Sequence, residues 1–209
     1  MSENCELAID TEFIEKLSSA DPTPGGGGAA AYAGALAGAL GSMVGNLTLN
    51  NAKYEEVHGP IGDAVERLNQ ATADLIDLIA EDATSFGPAA KAMRMPKGEE
   101  RDRTLNKALV GACETPLKMI QKCQDIIEDC DYIADNGAKL AISDIGCAAT
   151  LARGALISAS LNVYINIRMF TTQEKADEYK KLIDGVVSDG VKAADALYEK
   201  VADRLDAWK

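Results

Sequence analysis

Asp21-Pro22-Thr23-Pro24-Gly25-Gly26-Gly27-Gly28 runs straight into Ala29-Ala30-Ala31 and on through Leu49 in a stretch of Ala, Gly and small apolar residues that carries no charge. Prolines stiffen the approach and block helix upstream, and the glycines let the backbone come close to whatever it faces. A helix that begins here has almost no side-chain bulk. Its first amides, unpaired and partly positive, point at an anionic group or a polar ligand edge. Tight packing of a buried helix start is the other use for the same glycines. Two nucleotide motifs are excluded: Gly28 is followed by Ala29-Ala30-Ala31 instead of Lys-Ser/Thr, and Ser18-Ser19-Ala20-Asp21-Pro22 is not the strand a dinucleotide fingerprint requires.

The sequence predicts that helix from about Gly28 to Leu49, with Ala30, Gly34, Gly38 and Ser42 at four-residue spacing beside Gly41 and Gly45. Small residues so spaced make a flat face that a second helix can approach closely, in a buried central position or across a symmetric seam. Helical periodicity continues on both sides of it. Asp10 is the expected cap of a short helix carrying Phe13, Ile14 and Leu17. Pro60 opens a long helix with Ile61, Val65, Leu68, Leu75, Ile76 and Ile79 on its apolar face, interrupted by Gly87-Pro88. Another runs from Glu99 to about Asp135, bent at Pro116 and closed by Asn136-Gly137. Ser143 or Asp144 starts the next, through Ala155, Ile157, Leu161, Val163 and Ile167, and the last spans Gln173 to Trp208. No segment alternates with period two. The expectation is an all-α, single-domain bundle of about six helices over residues 1–209, with the small-residue helix at its centre.

Composition narrows the partners. Of the 209 residues 47% are hydrophobic but only 5% aromatic, so the core is aliphatic. A formal charge of -12 and a pI near 4.6 argue against nucleic acid and anionic membranes. The apolar part of Pro22–Ala52 is too short and too rich in Gly, Ala, Asn and Thr for a good membrane span. Five cysteines without a Cys-x-x-Cys pair read as small core residues in a reducing cytoplasm, and the acidic N-terminus is not a secretory signal. A single histidine, His58, in the turn Val57-His58-Gly59-Pro60, removes most metal and histidine chemistry and leaves proton transfer to carboxylates or lysines.

Some polar residues stand where packing does not ask for them. Asp82 follows Glu81 one turn from the Gly-Pro break, Asp144 stands at a helix start, and Asn162 and Asn166 share one face of an apolar helix. Each also has a structural reading: a solvated face for Asp82, an N-cap for Asp144, a buried hydrogen-bond ladder for the asparagines.

Taken together, Pro24-Gly25-Gly26-Gly27, Gly41-Ser42-Met43-Val44, Asp82-Ala83-x-x-Phe86, Met95-Pro96-Lys97, Asn136 to Ser143-Asp144 and Asn162-Val163-x-Ile165-Asn166 occur in the order and approximate spacing of the cyclodeaminase/cyclohydrolase family. The chain resembles that family from about Phe13 to the last helix. The resemblance implies an all-helical homodimer that binds a reduced folate, with Asp82 as proton donor and acceptor and Gly25, Gly26, Gly27, Asp144, Asn162 and Asn166 at the substrate. It implies no metal and no prosthetic group, only a tetrahydrofolate derivative as substrate. With no transferase domain in the 209 residues, the chain resembles the stand-alone cyclohydrolases.

The chemistry fits one carboxylate. The bridging carbon of 5,10-methenyltetrahydrofolate is a cationic amidinium, and its hydrolysis to the 10-formyl compound needs a water deprotonated and a nitrogen protonated in turn. An apolar neighbour such as Phe86 raises the carboxyl pKa, and the ionised form stabilises the substrate cation. The anionic folate tail, including its polyglutamylated forms, calls for a positive landing place. Arg94, Lys97, Arg101, Arg103 and Lys107 form the densest basic cluster, and Arg94 and Lys97 are the expected tail contacts. Formiminotetrahydrofolate cyclodeaminase, releasing ammonia in the same pocket, is the alternative activity. A non-catalytic folate-binding or dimerisation module is the more distant one.

Overall fold

The computed structural model describes residues 11–206, which form seven α-helices: α1 (Thr11–Leu17), α2 (Gly26–Leu49), α3 (His58–Ser85), α4 (Gly87–Met93), α5 (Glu99–Asn136), α6 (Ile142–Ile167) and α7 (Gln173–Asp206). Two 3-10 turns, Ala52–Val57 and Lys139–Ala141, lead into α3 and α6. The six expected helices are therefore present. The Gly87-Pro88 interruption separates α4, with the proline in its first turn, where the missing amide costs nothing. The expected Asp10 cap, Cys5 and Trp208 lie outside the described residues.

Helix α2 is the centre of the bundle and packs on α3, α5 and α6. Its small-residue face lies against α3 and α5 of the same chain. A Cβ on Gly34 would stand 3.1 Å from both Cys123 Sγ and Leu75 Cδ1, and one on Gly41 2.7 Å from Cys130 Sγ; on Gly38 and Gly45 it would overlap Thr72 and Val65. The larger apolar side chains of α3 and α5 thus fill the room that α2 gives up. Ile61, Leu68, Leu75, Met119, Ile120, Ile126 and Ile133 are fully buried there. Helix α5 also packs on α4, α6 and α7, and α6 packs on α7. A satellite cluster of Ala89, Ala92, Leu105 and Leu109 pins α4 to α5.

Polar side chains stitch this frame at chosen points. Thr48, fully buried at the end of α2, donates to the Val44 carbonyl and accepts the Ala138 amide at 2.9 Å, tying the α5–α6 connection to α2. Asp129, buried on α5, receives Arg67 from α3 at 3.0 Å. Lys200 on α7 bridges Asp131 and Asp135 at 2.6 and 2.9 Å.

Several expectations are corrected. Helix α2 begins at Gly26, two residues before the expected Gly28, and the Asp82 carboxylate engages the Gly28 amide in its first turn, which weak glycine propensity would leave frayed. His58 is the first residue of α3, half-buried, with Nε2 3.3 Å from the Asn51 carbonyl oxygen. Cys113, Cys123 and Cys130 are buried, but Cys147 is exposed on the outer side of α6. Ile76 and Leu161, assigned to apolar faces, are also exposed.

The glycine contacts predict opposite signs for two substitutions. Gly45→Leu drives a side chain into Val65 and should destabilise by at least about 2 kcal/mol. Gly185→Ala, mid-helix in α7 with nothing within 4 Å of the added methyl, should stabilise by about 0.5–1 kcal/mol. Urea unfolding of both variants checks the pair.

Candidate active site

The start of α2, the end of α3, α4's first residue, the middle of α5 and the end of α6 enclose a cavity of about 550 Å³. Pro22, Thr23, Gly25, Gly26 and Gly27 form one wall; Asp82, Ala83, Ser85, Phe86 and Gly87 the second; Ala112 and Pro116 the third; Asn162, Ile165, Asn166 and Met169 the last. Among the described residues Asp82 is the one ionisable group in that lining. The volume is that of an ordinary small-molecule site, large enough for a bicyclic heteroaromatic ring.

Asp82 sits at the head of α2. A Cβ on Gly27 would fall on its carboxylate, so only glycine at that position admits the close approach. The carboxylate accepts the Gly28 amide, which makes it a tertiary cap for a helix whose own N-cap, Gly25, has no side chain to offer. Burial nevertheless dominates its ionisation: loss of water raises the Asp82 pKa above the ordinary carboxylate value, and the Gly28 hydrogen bond opposes this as the smaller effect. The adjacent Glu81 faces away. It accepts Thr115 Oγ1 at 2.9 Å and Lys118 Nζ at 2.8 Å, and these bonds lower its pKa.

The asparagines divide their roles. Pro116 has no amide, so the Ala112 carbonyl four residues earlier lacks its helical donor. Asn166, only 7% exposed, supplies one: its Nδ2 donates to that carbonyl at 3.0 Å. The Asn166 side chain also hydrogen-bonds Cys113, whose thiol burial pushes up to about 11. Asn162 Nδ2 donates to the Ser158 carbonyl at 3.0 Å, while its Oδ1 lies 3.9 Å from where a Gly26 Cβ would be. Asn166 is thus committed to the fold at the cavity wall, and the Asn162 amide lies beside the glycine loop.

The structure brings together Gly25, Gly26, Gly27, Asp82, Asn162 and Asn166. It does not place Arg94, Lys97 or Asp144 on this cavity. Arg94 and Lys97 are exposed in the connection that follows α4, and neither lines the cavity. Asp144 stands at the opposite end of α6 from Asn162, about 27 Å away along the axis at 1.5 Å per residue. Residues that sequence reasoning missed are Ala112, Met169 and Ser85. Pro116 inside a helix was the signal for the first, since it frees one carbonyl on α5 that another element must satisfy.

Comparison with known proteins agrees with this geometry. The profile of the formiminotransferase-cyclodeaminase family matches residues 10–185. The chain is 33% identical over 199 residues to a methenyltetrahydrofolate cyclohydrolase of Methylorubrum extorquens, covering 93% of this chain and 96% of that one. It is 26% identical to the formimidoyltransferase-cyclodeaminase of Gallus gallus, of which it spans 37%. The crystal structure of formiminotetrahydrofolate cyclodeaminase from Thermotoga maritima superposes with a TM-score of 0.82 at 27% identity, covering 97% of both chains. With the glycine wall, the Asp82 carboxylate and the paired asparagines in one cavity, and a profile match over most of its length, this chain belongs to the formiminotransferase-cyclodeaminase family.

Proposed function

We propose that the protein hydrolyses 5,10-methenyltetrahydrofolate to 10-formyltetrahydrofolate, with Asp82 as general base and then general acid. The observation that carries this reading is a single half-buried carboxylate, at the head of α2, in an otherwise uncharged cavity. Ionised, Asp82 attracts the amidinium cation and takes a proton as water bonds to the bridging carbon. It then returns that proton to N5 as the C–N5 bond breaks, while the new hydroxyl proton leaves to solvent and the formyl group stays on N10. A raised pKa suits both halves of the cycle. The similarity to the Methylorubrum cyclohydrolase over nearly the full length of both chains supports this activity. The fold shared with the Thermotoga cyclodeaminase supports a second, lyase reading, in which N10 attacks a formimino carbon and the same aspartate protonates departing ammonia.

Decay of the near-ultraviolet absorbance of 5,10-methenyltetrahydrofolate tests the first reading. Asp82→Asn should lower kcat by at least about 100-fold. Undiminished turnover in the variant removes Asp82 from the mechanism. Formation of the same chromophore from 5-formiminotetrahydrofolate, with ammonia release, assigns the cyclodeaminase activity instead.

The same substitution has a thermodynamic signature. Because the folded state raises the Asp82 pKa, the native protein binds this proton more tightly than the unfolded chain does. Its stabilising contribution is complete at low pH, is lost as pH rises from the unfolded value near 3.9 through the raised folded value, and leaves a net cost at neutrality. Asp82→Asn keeps an acceptor for the Gly28 amide and removes the buried charge. Its Tm should exceed that of the wild type by about 2 °C at pH 7, and the gap should close below about pH 4 in paired calorimetric scans.

We infer that two copies associate through the outer faces of α2 and α6. These helices are long and apolar enough to cross a membrane by length and composition, but more than half of the apolar stretch of α2 is packed inside the bundle. What faces outward is Leu36, Met43 and Leu47 on α2, and Leu161 and Ile165 on α6. Antiparallel pairing of two α6 helices about the point between Gly154 and Ser158 sets Leu151 of one copy against Leu161 of the other, and Asp144 against Arg168. That pairing carries Asp144 to the Ile165 rim of the other copy's cavity, which gives the aspartate a place at the substrate. The buried free thiols favour a reducing, cytoplasmic setting. Sedimentation should find a wild-type dimer and a monomeric Leu161→Glu variant; a monomeric wild type refutes the pairing.

A further inference from the structure

Among the described residues no Lys, Arg or His lines the Asp82 cavity, yet the substrate class proposed above carries an anionic tail. A second concavity of about 490 Å³ lies on the other side of the α3–α4 joint. It shares Ser85 with the first, and the two follow one another along α5: Ala112 and Pro116 face the first, while Ala108, Gly111 and Thr115 face the second. Pro88 and Ala108 give it apolar sides. Thr84, Ser85, Thr104 and Thr115 give it hydroxyls, and Lys107 stands on its rim.

Two features of this groove have no structural use within the chain. Gly111 lies in the interior of α5, where glycine costs about 1 kcal/mol relative to alanine, and a Cβ there would meet nothing within 4 Å. Neither a close helix contact nor an unusual backbone angle explains it; what the glycine does is keep the floor of the groove open. Lys107 has no ion pair or hydrogen bond among the described residues, whereas Lys118, on the same helix, is occupied by Glu81 at 2.8 Å. Glu81, the acidic residue of the lining, is already engaged by Lys118 and Thr115, so Lys107 is the uncompensated charge of the groove.

We propose that this groove binds the p-aminobenzoylglutamate tail of the substrate, with the aromatic amide lying over Gly111 between Pro88 and Ala108 and a glutamate carboxylate meeting Lys107. The proposal rests on the folate reading of the Asp82 cavity and goes beyond it. It assigns tail recognition to the α3–α5 groove and to Lys107, and takes it away from Arg94 and Lys97. The pterin end enters beside Asp82, the chain passes Ser85, and the tail runs toward the N-terminal end of α5. Further glutamates emerge where the groove opens to solvent.

Equilibrium binding of 5-formyltetrahydrofolate and of 5-formyltetrahydropteroate, the same molecule without its glutamate, tests the assignment. Lys107→Ala should weaken the first about tenfold, the scale of one charged hydrogen bond, and the second less than twofold. Gly111→Leu, which fills open space on a helix and favours folding, should weaken the glutamylated compound at least tenfold by occupying the groove. Raising salt should reduce the wild-type preference for the glutamylated compound and leave the Lys107→Ala variant unmoved. Full affinity in both variants, or a loss that follows Arg94→Ala or Lys97→Ala instead, overturns the groove. If the wild type shows Asp82-dependent turnover in that case, the groove alone is wrong. If the wild type binds neither compound, the folate reading falls with it.

Discussion

The whole arrangement depends on how closely the first turn of α2 can approach the end of α3. With no Cβ at Gly27, the Asp82 carboxylate occupies the space a side chain would take and accepts the Gly28 amide. Two opposing effects are built into one contact. Removal from water favours the neutral acid, while the amide and the partial positive charge at the helix terminus favour the anion. Burial is the larger, so the group stays closer to neutrality than an exposed aspartate. An acid held this way has the direction of pKa shift that the proposed proton shuttle needs.

That approach is possible because α2 spends its intrinsic stability on proximity. Glycine is a poor helix former, and α2 has seven glycines: Gly26, Gly27, Gly28, Gly34, Gly38, Gly41 and Gly45. Isolated, such a segment would not hold a helix. The bundle compensates by letting Leu68, Leu75, Cys123 and Cys130 pack almost onto the α2 backbone, so that removing bulk from one helix allows large side chains on its neighbours to be fully buried. Glycine at 45 serves this packing, and glycine at 27 serves the site. Both uses were open in the sequence, and they turn out to occupy different ends of the same helix.

The fold was legible because it follows from local pattern. Apolar periodicity located α3, α5, α6 and α7, and Gly-Pro and Asn-Gly pairs marked their ends. The glycine wall and Asp82 could be paired only through a family resemblance, since they lie far apart in sequence and no local rule brings them together. Arg94 and Lys97 illustrate the limit: a basic cluster in sequence says where charge is dense, and does not say which cavity those side chains line. Exposure of Cys147 and Leu161 was equally hidden, because the apolar pattern of α6 continues around the helix and does not say which side the chain itself covers.

Asn166 shows why structural and functional readings of a buried polar residue need not compete. Pro116 opens the α5 wall of the cavity by removing an amide, and the orphaned Ala112 carbonyl would carry a desolvation cost of about 1–3 kcal/mol if left unpaired. Asn166 meets that need from α6 and in doing so fixes the separation of two walls. One turn earlier, Asn162 donates within its own helix, to the Ser158 carbonyl, and its amide lies beside Gly26. The same side chain at two successive turns thus sets the width of the cavity at one position and lends a polar amide to its lining at the other.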